Sequence, residues 1–391
     1  MNRTAPQVLF VGHTGRMGGA EFSLEALLAR LGVNKRVVLL SPGPLLERLA
    51  SRDIPVTLLA HAEGLVSVGA ETPVLKRLWS ARRLPGLVRR LAQLASGSDL
   101  VYANSKKVLL YAALAAGLAG KPLIWHQRDE MLLPSSLSLR GSLSERLLLW
   151  LLNRYASRVI SVSRAAADSF VAAGGRPDLP VVIHNGVDPA LYGQEVNRQA
   201  VRLAVGLPSD SPVIGCFGRL TPWKGQAVLI EALGRVPHAH LVLVGDAVFE
   251  RGDYKASLLS LVADLGLQER VHFLGHRDDV PQLMRAVDLV AHPSTEFDPC
   301  PRVVLEALHS GVPLVATTVG GTPELVEHGV SGLLVPPADA QALAAALRSI
   351  LEDPEAGARL ALEGRRRALE QFTLDRVVAQ VEHAIRALTA T

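Results

Sequence analysis

The sequence predicts an α/β protein built from two doubly wound parallel-sheet domains, and three observations carry that prediction. Short runs rich in Val, Ile and Leu recur along the whole chain, continuous rather than alternating, as in strands buried on both faces. Helical patterns separate them, which implies parallel strands joined by right-handed crossovers. The series pauses in the polar stretch NGVDPALYGQEVNRQ and restarts near residue 212. A chain of 391 residues accommodates two such domains, three at most.

In order, the first-domain runs are QVLFVG, RVVLL, IPVTLL, DLVYA, PLIWH, RVISVS and PVVIHN. Those of the second are PVIGCFG, HLVLVG, RVHFLG, LVAHPS, PLVAT and GLLVP. With the joint near Asn185–Asp188, the first domain covers 1–186 and the second 187–371, while 372–391 forms a lone helix that no strand follows. Ligands of doubly wound sheets bind beyond the carboxyl ends of the strands, so two such domains facing each other would form a functional cleft.

Composition narrows the function. Hydrophobic residues at 49% against 20% charged exclude a disordered chain. Two cysteines, Cys216 and Cys300, exclude a disulfide scaffold and fit a reducing compartment. The longest apolar run, near Val108–Gly120, is shorter than the roughly 18 residues of a membrane span. MNRTAPQVLFVGHTG reads as a strand entering glycines rather than a signal peptide, so a cytoplasmic protein is expected.

The net charge of +4 conceals an asymmetry. Residues 1–186 hold 23 Lys+Arg against 12 Asp+Glu, and the remainder holds 18 against 25. The basic half contains Lys76, Arg77, Arg82, Arg83, Arg89 and Arg90 interleaved with Leu75, Leu78, Trp79, Leu84, Leu87, Val88 and Leu91. Pro85 is expected to divide this stretch into two short helices. The pattern over 72–95 fits a helix lying on an anionic membrane at the inner face, or a surface helix packed on its own domain. No aromatic platform accompanies the cluster, which argues against nucleic acid as a partner.

Four motifs sit at strand ends. Gly12-His13-Thr14-Gly15-Arg16-Met17-Gly18-Gly19 lacks the Gly-x-Gly-x-x-Gly spacing, and the second strand ends in Ser41 without a ribose-binding acid, which argues against a nicotinamide dehydrogenase. Gly18-Gly19 leaves bare N–H groups at a helix start, suited to an anion or sugar, or simply makes a tight turn. Gly218-Arg219 and Lys224-Gly225 bring two cations to a Pro turn before a helix, which fits a diphosphate. Asp298 and Glu306 stand eight residues apart, able either to grip hydroxyls or to cap a helix, and Gly320-Gly321-Thr322 offers a further nest of N–H groups. His126 in Trp125-His126-Gln127-Arg128 can donate to a substrate, shuttle a proton or serve structure alone.

Taken together, the Gly18-Gly19 loop, His126, Asn185-Gly186-Val187-Asp188, Gly218-Arg219, Lys224-Gly225, Asp298…Glu306 with Ala307-Leu308, and Gly311-x-Pro313 resemble the retaining glycosyltransferases of family 4. The resemblance implies a GT-B fold, in which two Rossmann-like domains face a central cleft and a C-terminal helix crosses back to the first domain. The first domain would bind the acceptor and the second a nucleotide diphosphate sugar, UDP- or GDP-linked. It implies that Arg219 and Lys224 bind the diphosphate, Glu306 the ribose hydroxyls and Asp298 the sugar. Gly18 and Gly19 would close over the phosphates, and Arg277 to Val280 would cup the base through backbone groups. His126 would approach the sugar and, with Arg219, Lys224 and Asp298, make up the catalytic set.

Gly218, Pro299, Cys300 and Val303 complete the expected donor site, and Glu21, Asn104, Ser105 and Arg128 the acceptor site. Asp298 stands where the family usually has Glu, and Pro299-Cys300 replaces its Phe-Gly, which bears on the choice of sugar. With no Asp-x-Asp motif and no His/Cys cluster at ligand spacing, neither metal nor cofactor is expected. The expected acceptor is a glycan or lipid-linked precursor; a nucleotide-sugar epimerase and a non-catalytic sugar-nucleotide-binding protein are the alternatives.

Overall fold

A computed structural model describes residues 5–59, 83–131, 139–247 and 253–390. Every apolar run named above becomes a strand, because each is bounded by glycine, proline or polar residues and can bury both faces only inside a sheet. The first sheet contains β1 Gln7–Gly12, β2 Asn34–Leu39, β3 Val56–Leu58, β4 Leu100–Ala103, β5 Leu123–Gln127, β6 Ala156–Ser161 and β7 Pro180–Val182. The second contains β8 Val213–Phe217, β9 His240–Val244, β10 Val271–Gly275, β11 Leu289–His292, β12 Leu314–Thr317 and β13 Leu333–Val335. Their orders are β3-β2-β1-β4-β5-β6-β7 and β10-β9-β8-β11-β12-β13, with parallel neighbours throughout. Chain direction across the sheet reverses between β1 and β4 and again between β8 and β11. These are the switch points where such sheets leave a crevice.

Helices α1 Gly19–Arg30, α2 Pro44–Ala50, α3 Leu84–Ser96, α4 Leu109–Ala119, α5 Leu139–Tyr155 and α6 Arg164–Ala172 belong to the first sheet. The second carries α7 Pro189–Tyr192, α8 Arg198–Ala204, α9 Gln226–Leu233, α10 Asp253–Asp264, α11 Val280–Ala286, α12 Arg302–Ser310, α13 Thr322–Leu325, α14 Ala340–Glu352 and α15 Pro354–Gln371. The chain divides into residues 1–185 with 374–391, and residues 186–373.

The last helix, α16 Leu374–Thr389, returns to the first unit because of its apolar stripe. Leu374, Val377, Val378, Val381 and Ile385 repeat every three to four residues and join Leu24, Leu27 and Leu28 of α1 in one core cluster. An Arg30–Asp375 pair at 2.6 Å sits at the exposed margin. Phe372 and Thr373 stay with the second unit, so this helix begins later than 372. Phe372 is buried there, and its carbonyl accepts from the Val187 N–H at 3.0 Å. Of the basic stretch, α3 is described, with Pro85 in its first turn, where a missing N–H costs nothing. Residues 60–82, with Lys76, Arg77 and Arg82, lie outside the described residues. No helix among the described residues is long and apolar enough to cross a membrane.

Candidate active site

In the second unit, three loops meet at the carboxyl ends of β8, β11 and β12, and glycine is what lets them approach. Gly225 has φ +72°, and a Cβ there would lie 1.9 Å from the Pro293 carbonyl oxygen. Gly320 has φ +54°, and its Cβ would lie 2.1 Å from the Asp298 oxygen. Only glycine combines that backbone with that proximity. Thr295 N–H donates to the Trp223 carbonyl at 2.8 Å, and the Gly321 N–H donates to the Asp298 carbonyl at 2.9 Å. That last bond occupies one member of the expected N–H nest, so the Gly320-Gly321 turn here clamps the Asp298 loop.

The clamp presents a buried charge cluster. Lys224 Nζ lies 2.6 Å from Asp298 Oδ2, and His292 Nε2 lies 3.2 Å from the same oxygen. Ser294 Oγ is 3.1 Å from His292 Nε2, and the Thr317 hydroxyl donates to the Ser294 carbonyl at 2.6 Å. Burial pushes the Asp298 pKa up, but Lys224 and the His292 hydrogen bond outweigh it and hold the carboxyl well below its usual range. Burial and the Lys224 charge lower the His292 pKa, which keeps its ring neutral. Lys224 also lies over the Trp223 ring, 4.4 Å from the centroid. Asp298 therefore does not cap α12: Pro301 occupies the N-cap and accepts no side-chain bond. Glu306 is the fifth residue of α12 rather than a first-turn residue, half-buried and 3.2 Å from Arg302. Tyr192, its own pKa raised by burial and by Glu306, hydrogen-bonds to it.

Gly218 and Arg219 lie at the end of β8, both exposed, and the Arg219 carbonyl accepts from Gln226 at 2.8 Å. Val303 and Cys300 are buried and Pro299 is half-buried beside Asp298. Glu296 is exposed. Arg277 closes a bidentate pair with Asp279 at 2.8 and 2.7 Å, just before Val280 opens α11. The unpaired buried hydroxyls of Thr221 and Thr322 lie in the loop after β8 and at the start of α13.

In the first unit the same logic holds at β1, β4 and β5. Gly18 is the extended N-cap of α1 with no side-chain cap, and a Cβ on Gly19 would meet nothing within 4 Å. His126, the penultimate residue of β5, is buried. Its Nδ1 is 2.5 Å from the Tyr102 hydroxyl and 3.2 Å from Arg128 Nη2. Arginine only donates, so Nδ1 accepts and the ring proton sits on Nε2, which is buried without a partner. Burial, then Arg128, keeps the His126 pKa well below its ordinary value. That makes His126 a neutral hydrogen-bond donor rather than a proton shuttle near neutral pH.

Arg128 also donates to Asn104 Oδ1 at 3.1 Å and to Asn185 Oδ1 at 2.9 Å, so Arg128 and Asn104 hold one another and His126. Ser105 Oγ and His13 Nδ1 are further buried atoms without a hydrogen-bond partner. Glu21, buried at the start of α1, has its pKa raised by burial and lies 3.9 Å from His13, whose own value burial lowers to about 4.

Two family models cover most of this chain. Residues 17–191 match Glycosyltransferase Family 4, and residues 197–367 match Glycosyl transferases group 1. A D-inositol 3-phosphate glycosyltransferase of Mycobacterium marinum is 31% identical over 373 residues, spanning 90% of this chain and 75% of the relative. The chain belongs to the group 1, family 4 glycosyltransferases. The lipopolysaccharide core biosynthesis glycosyltransferase LpsE of Rhizobium meliloti is 34% identical over 176 residues, covering 45% of this chain and 50% of that protein. Among solved structures, Anabaena HepE in complex with UDP and glucose has 36% identity and a TM-score of 0.86, over 98% of this chain and 100% of that one. WaaG, involved in lipopolysaccharide biosynthesis, shares the fold at 18% identity and a TM-score of 0.73, over 98% and 100%.

Within this glycosyltransferase, the structure gathers Lys224, Asp298 and the loop of Gly218 and Arg219 at one switch point. It gathers His126, Arg128, Asn104, Ser105 and Glu21 at the other. Sequence reasoning passed over His292, Tyr102, His13 and Tyr192. Two of them carried a legible sign: His13 and His292 are polar residues that close or directly follow an apolar strand, as His126 does. Tyr102 and Tyr192 carried none.

Proposed function

We propose that this glycosyltransferase is a retaining enzyme that moves a hexose from a UDP-sugar to a hydroxyl of a lipid-linked or cell-surface glycan precursor, without a bound metal, at the cytoplasmic face of a membrane. The observation that carries the reading is the half-buried Lys224 ammonium, positioned by Asp298, which His292 in turn holds, near the Gly218-Arg219 turn. A cation so fixed stabilises charge that appears only as the diphosphate departs. Likeness to HepE, solved with UDP and glucose, favours UDP over GDP and a glucose-type sugar.

In this reading the bond between the sugar's anomeric carbon and the diphosphate oxygen breaks first, through an oxocarbenium-like state. Arg219 and Lys224 take the developing negative charge, with Gly18 and Gly19 N–H groups assigned to the phosphates. The acceptor oxygen attacks the face the leaving group vacates, which preserves anomeric configuration, and its proton passes to the leaving phosphate. A protein nucleophile is not needed, and the two candidate carboxylates are engaged: Asp298 with Lys224 and His292, Glu306 with Arg302. Glu306 is assigned to the ribose, Arg277 to Val280 to the base through backbone groups, and His126 Nε2–H to a sugar oxygen.

UDP release from UDP-glucose, with and without a glycan acceptor and with chelator, tests this directly. Lys224→Ala should lose release and transfer while the far-ultraviolet spectrum stays unchanged. Near-normal turnover, an inverted product anomer or chelator sensitivity would overturn the corresponding part. Interconversion of the free nucleotide sugar with no acceptor present would replace the reading by an epimerase.

A further inference from the structure

We propose that the second unit carries a further anion site, outside the donor loops, in which Arg285 and Arg365 hold a phosphate group. Arg285 stands on α11 and Arg365 on α15, and both are half-buried. They meet at the carboxyl end of α12. Arg285 Nη1 donates to the Ser310 carbonyl at 2.7 Å, a common way to satisfy the last carbonyls of a helix. The next residue, Gly311, has φ +64°, and a Cβ there would lie 3.3 Å from Arg365 Cδ. The Arg365 guanidinium reaches on to the turn after α7, where a Cβ on Gly193 would lie 3.1 Å from its Nη2. Glycine at both places leaves the Arg365 side chain its room.

Neither cation is satisfied. Arg285 Nε is buried and has no hydrogen-bond partner. Among the described residues, Arg365 makes no hydrogen bond or ion pair, and Arg285 makes no ion pair. Burial and then the Arg365 charge lower the Arg285 pKa, so two like charges oppose one another here. Nearby Arg198 already pairs with Asp288 at 2.6 Å. Glu195, the acid whose charge reaches Arg285, is exposed and closes no ion pair among the described residues. An anion shared by Arg285 and Arg365 offsets their repulsion and gives the stranded Nε–H an acceptor. A carboxylate is saturated by one guanidinium fork, whereas the oxygens of a phosphate accept from two at once. The ligand is therefore a phosphate group, borne by the free ion or by a sugar phosphomonoester.

Calorimetric titration of the full chain with inorganic phosphate, at saturating UDP so that the donor loops are filled, tests this. Phosphate should still bind. Arg365→Gln should weaken it by about tenfold or more, while UDP affinity measured without phosphate stays as in the parent. Glucose 6-phosphate is the ester probe: tighter binding than phosphate supports the site as one for an ester, and weaker binding supports it as one for the free ion. No phosphate binding by the UDP-saturated parent, equal binding by Arg365→Gln, or equally tight binding of acetate or chloride would overturn the proposal. Failure of UDP to bind would instead sink the functional reading. Phosphate titration of Lys224→Met with and without Arg365→Gln would then decide the site alone.

Discussion

Replacing Lys224 with Met removes the cation from a carboxylate that cannot reach water. The Lys224 and Asp298 side chains are 15% and 8% exposed, and their atoms are 2.6 Å apart. A pair at the surface would contribute about 0–1 kcal/mol, but stranding one partner of a buried pair costs about 3–5 kcal/mol. Lys224→Met should therefore lower the stability of the second unit by up to about that amount, since burial alone still opposes protonation of His292. Asp298→Asn in the same background removes the stranded charge, and most of the loss should return. Turnover should behave differently. It should fall about 100- to 1000-fold in Lys224→Met and stay low in the double variant, because the diphosphate still lacks its cation.

Chemical denaturation and UDP release on the two single variants and the double separate these effects. Additive stability losses in the double variant, or recovery of turnover by Asp298→Asn, would refute the reasoning. The gap in stability between parent and Lys224→Met also depends on pH. The folded Asp298 pKa lies below its unfolded value, so the pair contributes fully above the unfolded value near ~3.9 and loses its contribution as pH falls from there toward the folded value. The gap should persist at neutral pH and begin to narrow already above about pH 4, because in Lys224→Met burial is no longer outweighed and the stranded Asp298 carboxyl protonates more readily than in the unfolded chain.

Further outcomes follow from the same geometry. Gly225→Ala places a Cβ against the Pro293 carbonyl at a positive φ, and should impair both second-unit stability and UDP binding, read by denaturation and calorimetry; unchanged values would show that the loops part freely. Arg128→Gln removes the donor that fixes the His126 tautomer, so kcat should fall more than the donor KM rises, and Tyr102→Phe should have a smaller effect of the same kind. Burial lowers the pKa of His13, His126 and His292, so the unfolded chain binds more protons once pH drops below about 6.5. Stability should decline as pH falls through that point toward about 4, the folded value of His13; an unchanged denaturation midpoint between pH 7.5 and about 5 would contradict it.

Much of this protein is written locally. A strand buried on both faces must be apolar at every position, so both sheets could be read as Val-, Ile- and Leu-rich runs, and the amphipathic stripe of α16 marked a helix that needed a core to join. The positions where chemistry would sit were also legible, because polar residues such as His126 and the Gly218-Arg219 pair directly follow those runs. What the runs could not reveal is which strand ends become neighbours. Lys224 and Asp298 are 74 residues apart, and they meet because β8 lies beside β11.

That adjacency turned Asp298 from a possible helix cap into a buried counter-ion, the adjacency of β11 and β12 gave Gly321 the Asp298 carbonyl, and His292 meets Asp298 within the turn that follows β11. Arg128 meets Asn185 across 57 residues by the pairing of β5, β6 and β7, and from there donates to His126. Local apolarity and turn residues determine the elements of this chain, since their cost is settled within a few residues. Hydrogen-bond partners and buried charges were decided by tertiary structure alone, since their energy depends on which distant groups exclude water from one another.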